Sequence, residues 1–282
     1  MRRALTAVIL AATFAGISGG LSVTRAAAKE VESLLALCSN PGTPVREALT
    51  ACRQAAEHGR LDARRRALVW LNAGIAAHTL GLYVEAVEAH GAAIEADPRL
   101  SAAYENRALA FDKLNLLNEA LADYAAAISL QPTEPDAYLG RGILMLNNGA
   151  PERALPDFGR AIELDPALST ARYNRGLAFL QLGKNDLAEV DFAMVIGGNP
   201  KDAGAYLNRG RARAAQGKAG ARNDFDRAIA LKPEWAAARY MRGRWFDNEG
   251  AVDEANTDFL RAYQLGYSDP WLIERVRTMS GQ

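Results

Sequence analysis

Apolar and small residues recur along most of this chain with a regular period. Five prolines mark the period and stand 34, 34, 34 and 33 residues apart: Pro98, Pro132, Pro166, Pro200 and Pro233. Each period contains two stretches with helical spacing of apolar residues, separated by a turn residue near its middle. A repeat of this length predicts pairs of helices that cannot cover their own apolar faces and must stack on their neighbours.

Six units follow this pattern, and positions within a unit are counted from its first residue. The units begin near Ala67, Ser101, Pro135, Ser169, Ala203 and Ala236. Their turn residues are Gly81, Asn115, Gly149, Gly183, Gly217 and Gly250. Position 8 is always small, at Gly74, Ala108, Gly142, Gly176, Gly210 and Gly243. Position 24 is large, at His90, Tyr124, Phe158, Phe192, Phe225 and Phe259. We expect the small residues to let the paired helices approach closely, and position 24 to fill the space between them.

The small, aromatic and proline positions resemble those of the tetratricopeptide repeat over residues 67–267. The resemblance implies an all-α fold, a right-handed α-solenoid of stacked antiparallel helix pairs whose first helices line a concave surface. Residues 29–66 resemble a degenerate N-terminal helical hairpin. Residues 268–282 resemble a C-terminal capping helix in which Trp271, Ile273 or Val276 faces the repeats.

An arginine recurs at position 7 and an aspartate at position 23. The pairs are Arg107 and Asp123, Arg141 and Asp157, Arg175 and Asp191, Arg209 and Asp224, and Arg242 and Asp258. The two positions lie at the same height of an antiparallel hairpin, and the first unit lacks both members, with Ala73 and Ala89 instead. We therefore predict structural ion pairs within repeats, because a guanidinium beside an apolar face is satisfied by a carboxylate. The alternative is that the arginines are free to bind an acidic ligand.

Position 6 carries an asparagine in four units and is interrupted by Gly140 and Met241. The asparagines are Asn72, Asn106, Asn174 and Asn208. Helical geometry places position 6 away from the core stripe, and the resemblance implies that such a row binds the backbone of an extended peptide. Arg211 and Arg244 make the C-terminal end of this predicted groove basic. The alternative is that the asparagines solvate an exposed helix face or cap it locally.

The first 28 residues have the pattern of a secretory signal peptide. Two arginines precede an apolar run from Ala4 to about Val23, and the small triplet 26–28 predicts cleavage after Ala28. We expect an exported protein, in a bacterial periplasm, with no membrane span after cleavage. The alternative is an uncleaved membrane anchor.

Cys38 and Cys52 are the two cysteines of the chain. An even count in an exported protein favours a disulfide, with two buried free thiols as the alternative. A metal site is less favoured, because two cysteines without nearby histidines cannot fill a tetrahedral shell.

The remaining composition argues against several function classes. The 33 basic and 33 acidic residues cancel, so the chain lacks the overall positive field typical of nucleic-acid binders. The three histidines, His58, His78 and His90, lack metal-ligand spacing, and His90 is expected to be a satisfied structural residue at an aromatic core position. No phosphate loop, dinucleotide fingerprint or nucleophile elbow is present. We therefore predict no catalytic residue, no cofactor and no metal.

The leading functional hypothesis is a non-catalytic exported scaffold that binds a protein or extended peptide in its concave groove. A second hypothesis is a structural subunit of a cell-envelope complex, or a protein that assembles with copies of itself. A remote third is an enzyme with an unrecognised site.

Overall fold

The structure, a computed structural model, describes residues 22–58 and 61–279. Residues 1–21 of the predicted signal peptide and residues 280–282 of the predicted capping segment lie outside this part. All regular elements of the described residues are helices: α1 (Ser22–Ser39), α2 (Val45–Glu57), α3 (Ala63–Thr79), α4 (Tyr83–Ala96), α5 (Ser101–Lys113), α6 (Leu117–Leu130), α7 (Pro135–Asn147), α8 (Pro151–Leu164), α9 (Ser169–Gln181), α10 (Asn185–Gly198), α11 (Ala203–Ala214), α12 (Gly220–Leu231), α13 (Ala236–Asn248), α14 (Val252–Gln264) and α15 (Pro270–Met279).

The helices alternate as the first and second members of antiparallel pairs, which confirms the all-α solenoid class. The chain divides into two compact units, residues 1–144 and 145–282. In the first unit, α3 pairs with α4 and α5 with α6; in the second, α9 pairs with α10, α11 with α12, and α13 with α14. A second helix also packs on the first helix of the next repeat in four cases: α4 on α5, α8 on α9, α10 on α11, and α12 on α13.

The turn inside each repeat requires a residue that tolerates positive φ. At five of the six turns this residue is glycine, for example Gly81 with a φ of 76°. Asn115 takes the same conformation with a φ of 58°, which asparagine tolerates better than other side chains do. The predicted turn positions therefore coincide with the ends of the first helices.

Close packing between positions 8 and 24 brings the two helices of a repeat together. A Cβ atom added to Gly176 would lie 2.8 Å from Cζ of Phe192, and Gly210 and Gly243 face Phe225 and Phe259 with similar spacing. Phe192 is completely buried. In these three repeats a larger side chain at position 8 would occupy the space of the aromatic ring.

The N-terminal helices α1 and α2 form a hairpin that packs on α3. A disulfide joins Cys38 to Cys52 across this hairpin, so the alternative of free thiols does not hold. Both sulfurs belong to an apolar cluster that includes Val31, Leu49 and Leu61. The degenerate hairpin therefore covers the apolar end of the first repeat.

The capping helix α15 covers the last repeat with Leu272 and Val276, which are 0% and 7% exposed. Val276 was among the residues expected to face the repeats, whereas Leu272 was not. Trp271 is 41% exposed, yet the edge of its ring meets Phe259 with 5.1 Å between ring centroids. No helix of the described residues is long and apolar enough to span a membrane.

Candidate functional site

Arginine at position 7 and aspartate at position 23 meet within their own repeat. Two hydrogen bonds of 2.6 to 2.9 Å join each of four pairs: Arg107 with Asp123, Arg175 with Asp191, Arg209 with Asp224, and Arg242 with Asp258. The aspartates are buried. The hydrogen bond to its aspartate is the main cause of a raised pKa at each of these four arginines. These side chains satisfy one another inside the fold and are not oriented toward a ligand.

The remaining predicted pair, Arg141 with Asp157, belongs to the third repeat. Asp157 is buried, with 5% exposure, as the aspartates of the other pairs are. The pairing of Arg141 with Asp157 stays a prediction.

A second arginine joins the ion pair of the fifth repeat, which sequence analysis did not anticipate. Arg213 donates from Nη1 to Asp224 at 2.9 Å and from Nε to Glu189 at 2.8 Å. Lys218 also donates to Glu189, at 2.6 Å. This network links α10 to α11 and to the turn between α11 and α12, so it is a structural feature of the second unit.

The asparagines at position 6 do not form one exposed row. Asn106 and Asn208 are only 4% and 6% exposed, and the expectation that both face an open groove is wrong. The Nδ2 of Asn106 donates to Ala102 O at 2.7 Å, one turn back on its own helix. Asn72 and Asn174 are half-buried, and Asn174 donates to Thr170 O at 2.8 Å. Local helix bonds thus use part of the capacity that a peptide would need.

Asn208 bridges two successive first helices. Its Nδ2 donates to the hydroxyl of Tyr173 on α9 at 2.9 Å, and its Oδ1 accepts a bond of 2.9 Å from Nη1 of Arg211. The Tyr173 hydroxyl lies where α11 carries Gly204, whose added Cβ would be 2.8 Å from it. Asn208 therefore connects α9 to α11 and orients Arg211.

The gap in the asparagine row at Gly140 has a packing cause. A Cβ atom at Gly140 would lie 2.6 Å from Cε1 and 2.7 Å from the hydroxyl oxygen of Tyr124. Tyr124 occupies position 24 of the preceding repeat, where the following repeats carry phenylalanine. An asparagine at Gly140 would collide with this longer ring.

The first helices of the second unit lie side by side, because α11 contacts both α9 and α13. Position 9 of these helices carries Leu177, Arg211 and Arg244 in succession. Both arginines are exposed and Leu177 is half-buried. A single surface therefore changes from apolar to basic toward α13, as sequence analysis expected.

Aromatic residues contact one of the two arginines, Arg244, and the charge of the other, Arg211, acts on one of them. Nη1 of Arg244 donates to the Tyr240 hydroxyl at 3.1 Å, and its guanidinium lies 4.9 Å from the centroid of the Trp271 ring. Tyr240 stacks on Tyr267 with 4.5 Å between centroids. Burial raises the pKa of Tyr267, and the charge of Arg211 opposes this effect. The charge of Arg211 thus acts on the same aromatic cluster that orients Arg244.

In the first unit, the first helix α5 carries an acidic residue, Glu105, instead. Burial is the main cause that raises the pKa of Glu105 to about 7, and the charges of Asp136 and Glu134 add to it. Glu105 is at position 5 of α5 and is half-buried.

His90 differs from its expected role as a satisfied structural residue. Its side chain is completely buried, and neither ring nitrogen has a hydrogen-bond partner. An added Cβ at Gly74 would lie 2.3 Å from the His90 ring, so the imidazole fills the space that phenylalanine fills elsewhere. Burial, followed by the charges of His78 and Arg107, lowers the pKa of His90 to about 3. Across residues 22–58 and 61–279, no cluster of three histidine, cysteine or acidic side chains could hold a metal ion.

Comparisons with known proteins agree with this architecture. The family model described as tetratricopeptide repeat matches residues 105–169, 139–196 and 173–221. None of the curated proteins matches the sequence significantly.

Solved structures of similar fold include several tetratricopeptide-repeat proteins. One from Parabacteroides merdae has a TM-score of 0.64 at 21% identity, covering 89% of this chain and 97% of its own. PilW, described as a type IV pilus biogenesis factor, has a TM-score of 0.64 at 18% identity, over 72% of this chain and 95% of its own. YrrB, described as having an unusual peptide-binding site, has a TM-score of 0.56 at 24% identity, over 68% of this chain and 97% of its own. The family match thus shows tetratricopeptide repeats over residues 105–221, and the 34-residue helix pairs together with the solved structures show the tetratricopeptide-repeat fold.

Proposed function

We propose that this protein is a non-catalytic scaffold that binds a protein or an extended peptide along its first helices. The carrying observation is the lateral contact of α9, α11 and α13 in the second unit. Their position 9 side chains stand on helices that touch one another. Such a surface gives an extended segment one contact per repeat, which is how repeat proteins create long binding surfaces.

The bridge between Tyr173 and Asn208 supports this proposal. It joins α9 to α11 by a hydrogen bond of 2.9 Å, so the spacing of two contact helices is set before any partner arrives. A preorganised surface loses less conformational freedom on binding. The likeness to YrrB, whose description mentions a peptide-binding site, is consistent with this use of the fold.

Export to an oxidising compartment is part of the proposal. It is supported by the disulfide between Cys38 and Cys52, since such bonds persist mainly outside the cytosol. The signal-like pattern of residues 1–28 supports the same conclusion. Mass spectrometry of the non-reduced protein from the native cell would detect both the cleavage and the disulfide.

A second candidate function has its own observation. On α10, Leu187, Val190 and Met194 are 43%, 61% and 58% exposed and follow one another with helical spacing. This apolar row lies on a second helix, and it would suit assembly with copies of this chain or with an envelope complex.

Photo-cross-linking in the native cell separates the two candidates. One variant carries the cross-linking amino acid at Thr170, an exposed residue at position 2 of α9. The matched variant carries it at Val190 on α10 of the same repeat. We expect a discrete adduct with another protein from Thr170 and none from Val190. Adducts from Val190 alone, or a mass of two copies of this chain, would favour the assembly function and overturn the scaffold proposal.

A further inference from the structure

The second unit contains two arginines whose environment differs from that of the ion-paired arginines. Arg211 and Arg244 are exposed, and their hydrogen-bond partners are neutral: the amide of Asn208 and the hydroxyl of Tyr240. In the described part of the chain neither guanidinium pairs with a carboxylate, whereas Arg209 and Arg242, two residues before each of them, are both paired with buried aspartates.

Neutral acceptors have a specific consequence for a guanidinium. Each accepts one N–H and orients the side chain, but neither cancels the positive charge. An arginine has five N–H donors, so most donors of Arg211 and Arg244 remain for a carboxylate. Arg244 is further oriented by the Trp271 ring at 4.9 Å.

The nearby carboxylates are already used by the helix ends. Asp202 affects the pKa of Tyr173, and Asp269 affects that of Tyr267. Asp202 accepts the backbone amide of Ala205 at 2.9 Å, and Asp269 accepts that of Leu272 at 3.1 Å. Both acids therefore cap helices, and in the described part of the chain neither forms an ion pair with Arg211 or Arg244.

Spacing defines the geometry of a complementary ligand. Arg211 and Arg244 occupy position 9 of successive first helices that touch, and touching helices lie roughly 8–10 Å apart. A peptide in the polyproline II conformation advances about 3.1 Å per residue with three residues per turn, so side chains three residues apart lie on the same side of the chain, roughly 9 Å apart.

We propose that Arg211 and Arg244 recognise an extended acidic peptide segment through two carboxylate side chains about three residues apart. Arg211, oriented by Asn208, binds one carboxylate, and Arg244, oriented by Tyr240 and Trp271, binds the other. The inference rests on the proposed scaffold function and names the chemistry of its partner. It also makes the capping helix α15 part of the binding surface through Trp271.

The test uses fluorescence anisotropy with the mature chain and a labelled synthetic peptide. The probe contains two glutamates three positions apart among alanine and leucine, and the control probe has glutamine in place of both. We expect the glutamate probe to bind at least about tenfold more tightly, because hydrogen bonds to charged groups contribute this much or more. Arg211→Gln and Arg244→Gln should each weaken its binding by about tenfold.

The matched control is Arg222→Gln. This arginine lies on the second helix α12, has a 59% exposed side chain and pairs with Asp226 at 3.7 Å. The Arg222→Gln variant removes the same charge from the same unit. We expect it to bind the glutamate probe within about twofold of the unchanged protein, since screened distant charges contribute little.

The results that would overturn this inference differ from those that would overturn the scaffold function. Equal binding of both probes, or equal loss in Arg222→Gln, would overturn the acidic-segment inference and leave groove binding intact. No binding of either probe would also overturn it, while the Thr170 cross-link decides the scaffold function independently. Binding to vesicles of phosphatidylcholine and phosphatidylglycerol in place of the probe would assign the arginines to a membrane surface instead.

Discussion

Arg175 binds Asp191 through two parallel hydrogen bonds, Nη2 to Oδ1 at 2.7 Å and Nε to Oδ2 at 2.8 Å. The two partners differ in exposure, because the arginine side chain is 28% exposed and the aspartate side chain 3%. Solvent can therefore partly compensate the arginine for a lost partner, but not the aspartate.

This asymmetry predicts the order of three variants. Arg175→Ala should lower the free energy of unfolding by about 3 kcal/mol, because it leaves a buried charge without its partner. Asp191→Ala should lower it by only about 1–2 kcal/mol, since the remaining arginine reaches water. The double variant should be more stable than Arg175→Ala alone. Urea unfolding measures all three, and equal midpoints would contradict the structural role of the pair.

The buried imidazole of His90 predicts a loss of stability in acid. Its folded-state pKa of about 3 lies below the ordinary value near 6.5. The unfolded chain therefore takes up the proton first, and stability is complete above pH 6.5 and falls progressively toward pH 3. At pH 5 the loss from this residue should be about 2 kcal/mol.

His90→Phe should remove this part of the pH dependence. Gly176 faces Phe192 in the same way that Gly74 faces His90, so the pocket type accommodates phenylalanine. Urea unfolding at pH 7.5 and pH 5 would compare the two proteins. Glu105, whose pKa is raised to about 7, titrates in both, so its effect cancels in the difference. An identical loss in both proteins would show that His90 does not cause the acid sensitivity.

Replacing glycine by alanine should change the free energy of unfolding in opposite directions at two helical glycines. Gly176→Ala places a Cβ 2.8 Å from Phe192 and should destabilise the protein by about 1–3 kcal/mol through overpacking. Gly159→Ala, inside α8 with no atom within 4 Å of the new Cβ, should stabilise it by about 0.5–1 kcal/mol through helix propensity. Thermal unfolding measures both. A stabilising Gly176→Ala would mean that position 8 does not limit the approach of the helices.

The disulfide closes a loop between residues 14 apart in sequence. The chain-entropy model predicts that its removal costs about 3 kcal/mol. Thermal unfolding of the unchanged protein should therefore shift downward when reductant is added. The variant with Cys38→Ala and Cys52→Ala is the control, and its transition should not respond to reductant. The same shift in both proteins would show that the reductant does not act through this disulfide.

The repeat architecture was predictable because its signals are local and recur six times. Position 8, position 24 and the turn residue each depend on contacts inside one helix pair, and the pairing of positions 7 and 23 has the same origin. Features that depend on neighbouring repeats were not predictable in this way. The bond from Asn208 to Tyr173 requires the spacing between successive first helices, and the exclusion of a side chain at Gly140 requires the approach of a second helix to the next first helix.

The burial of Asn106 shows a second limit of the periodic pattern. Helical geometry places position 6 away from the core stripe, but the residue is 4% exposed. The first helix α5 contacts the neighbouring first helix α3, and the 3.6-residue period of one helix contains no information about that neighbour. The basic end of the surface was predictable, whereas the neutral partners of Arg211 and Arg244 were not.

The contact between Tyr124 and Gly140 makes the second and third repeats a matched couple. The hydroxyl of Tyr124 fills the space that the missing side chain of Gly140 leaves. Changing either residue alone would therefore disturb the packing. If the third repeat followed a repeat with phenylalanine at position 24, Gly140 would face a ring without the hydroxyl, and a void would remain. Repeats of this protein are therefore not interchangeable modules, and shuffling or deleting them would have to keep these two in their present order.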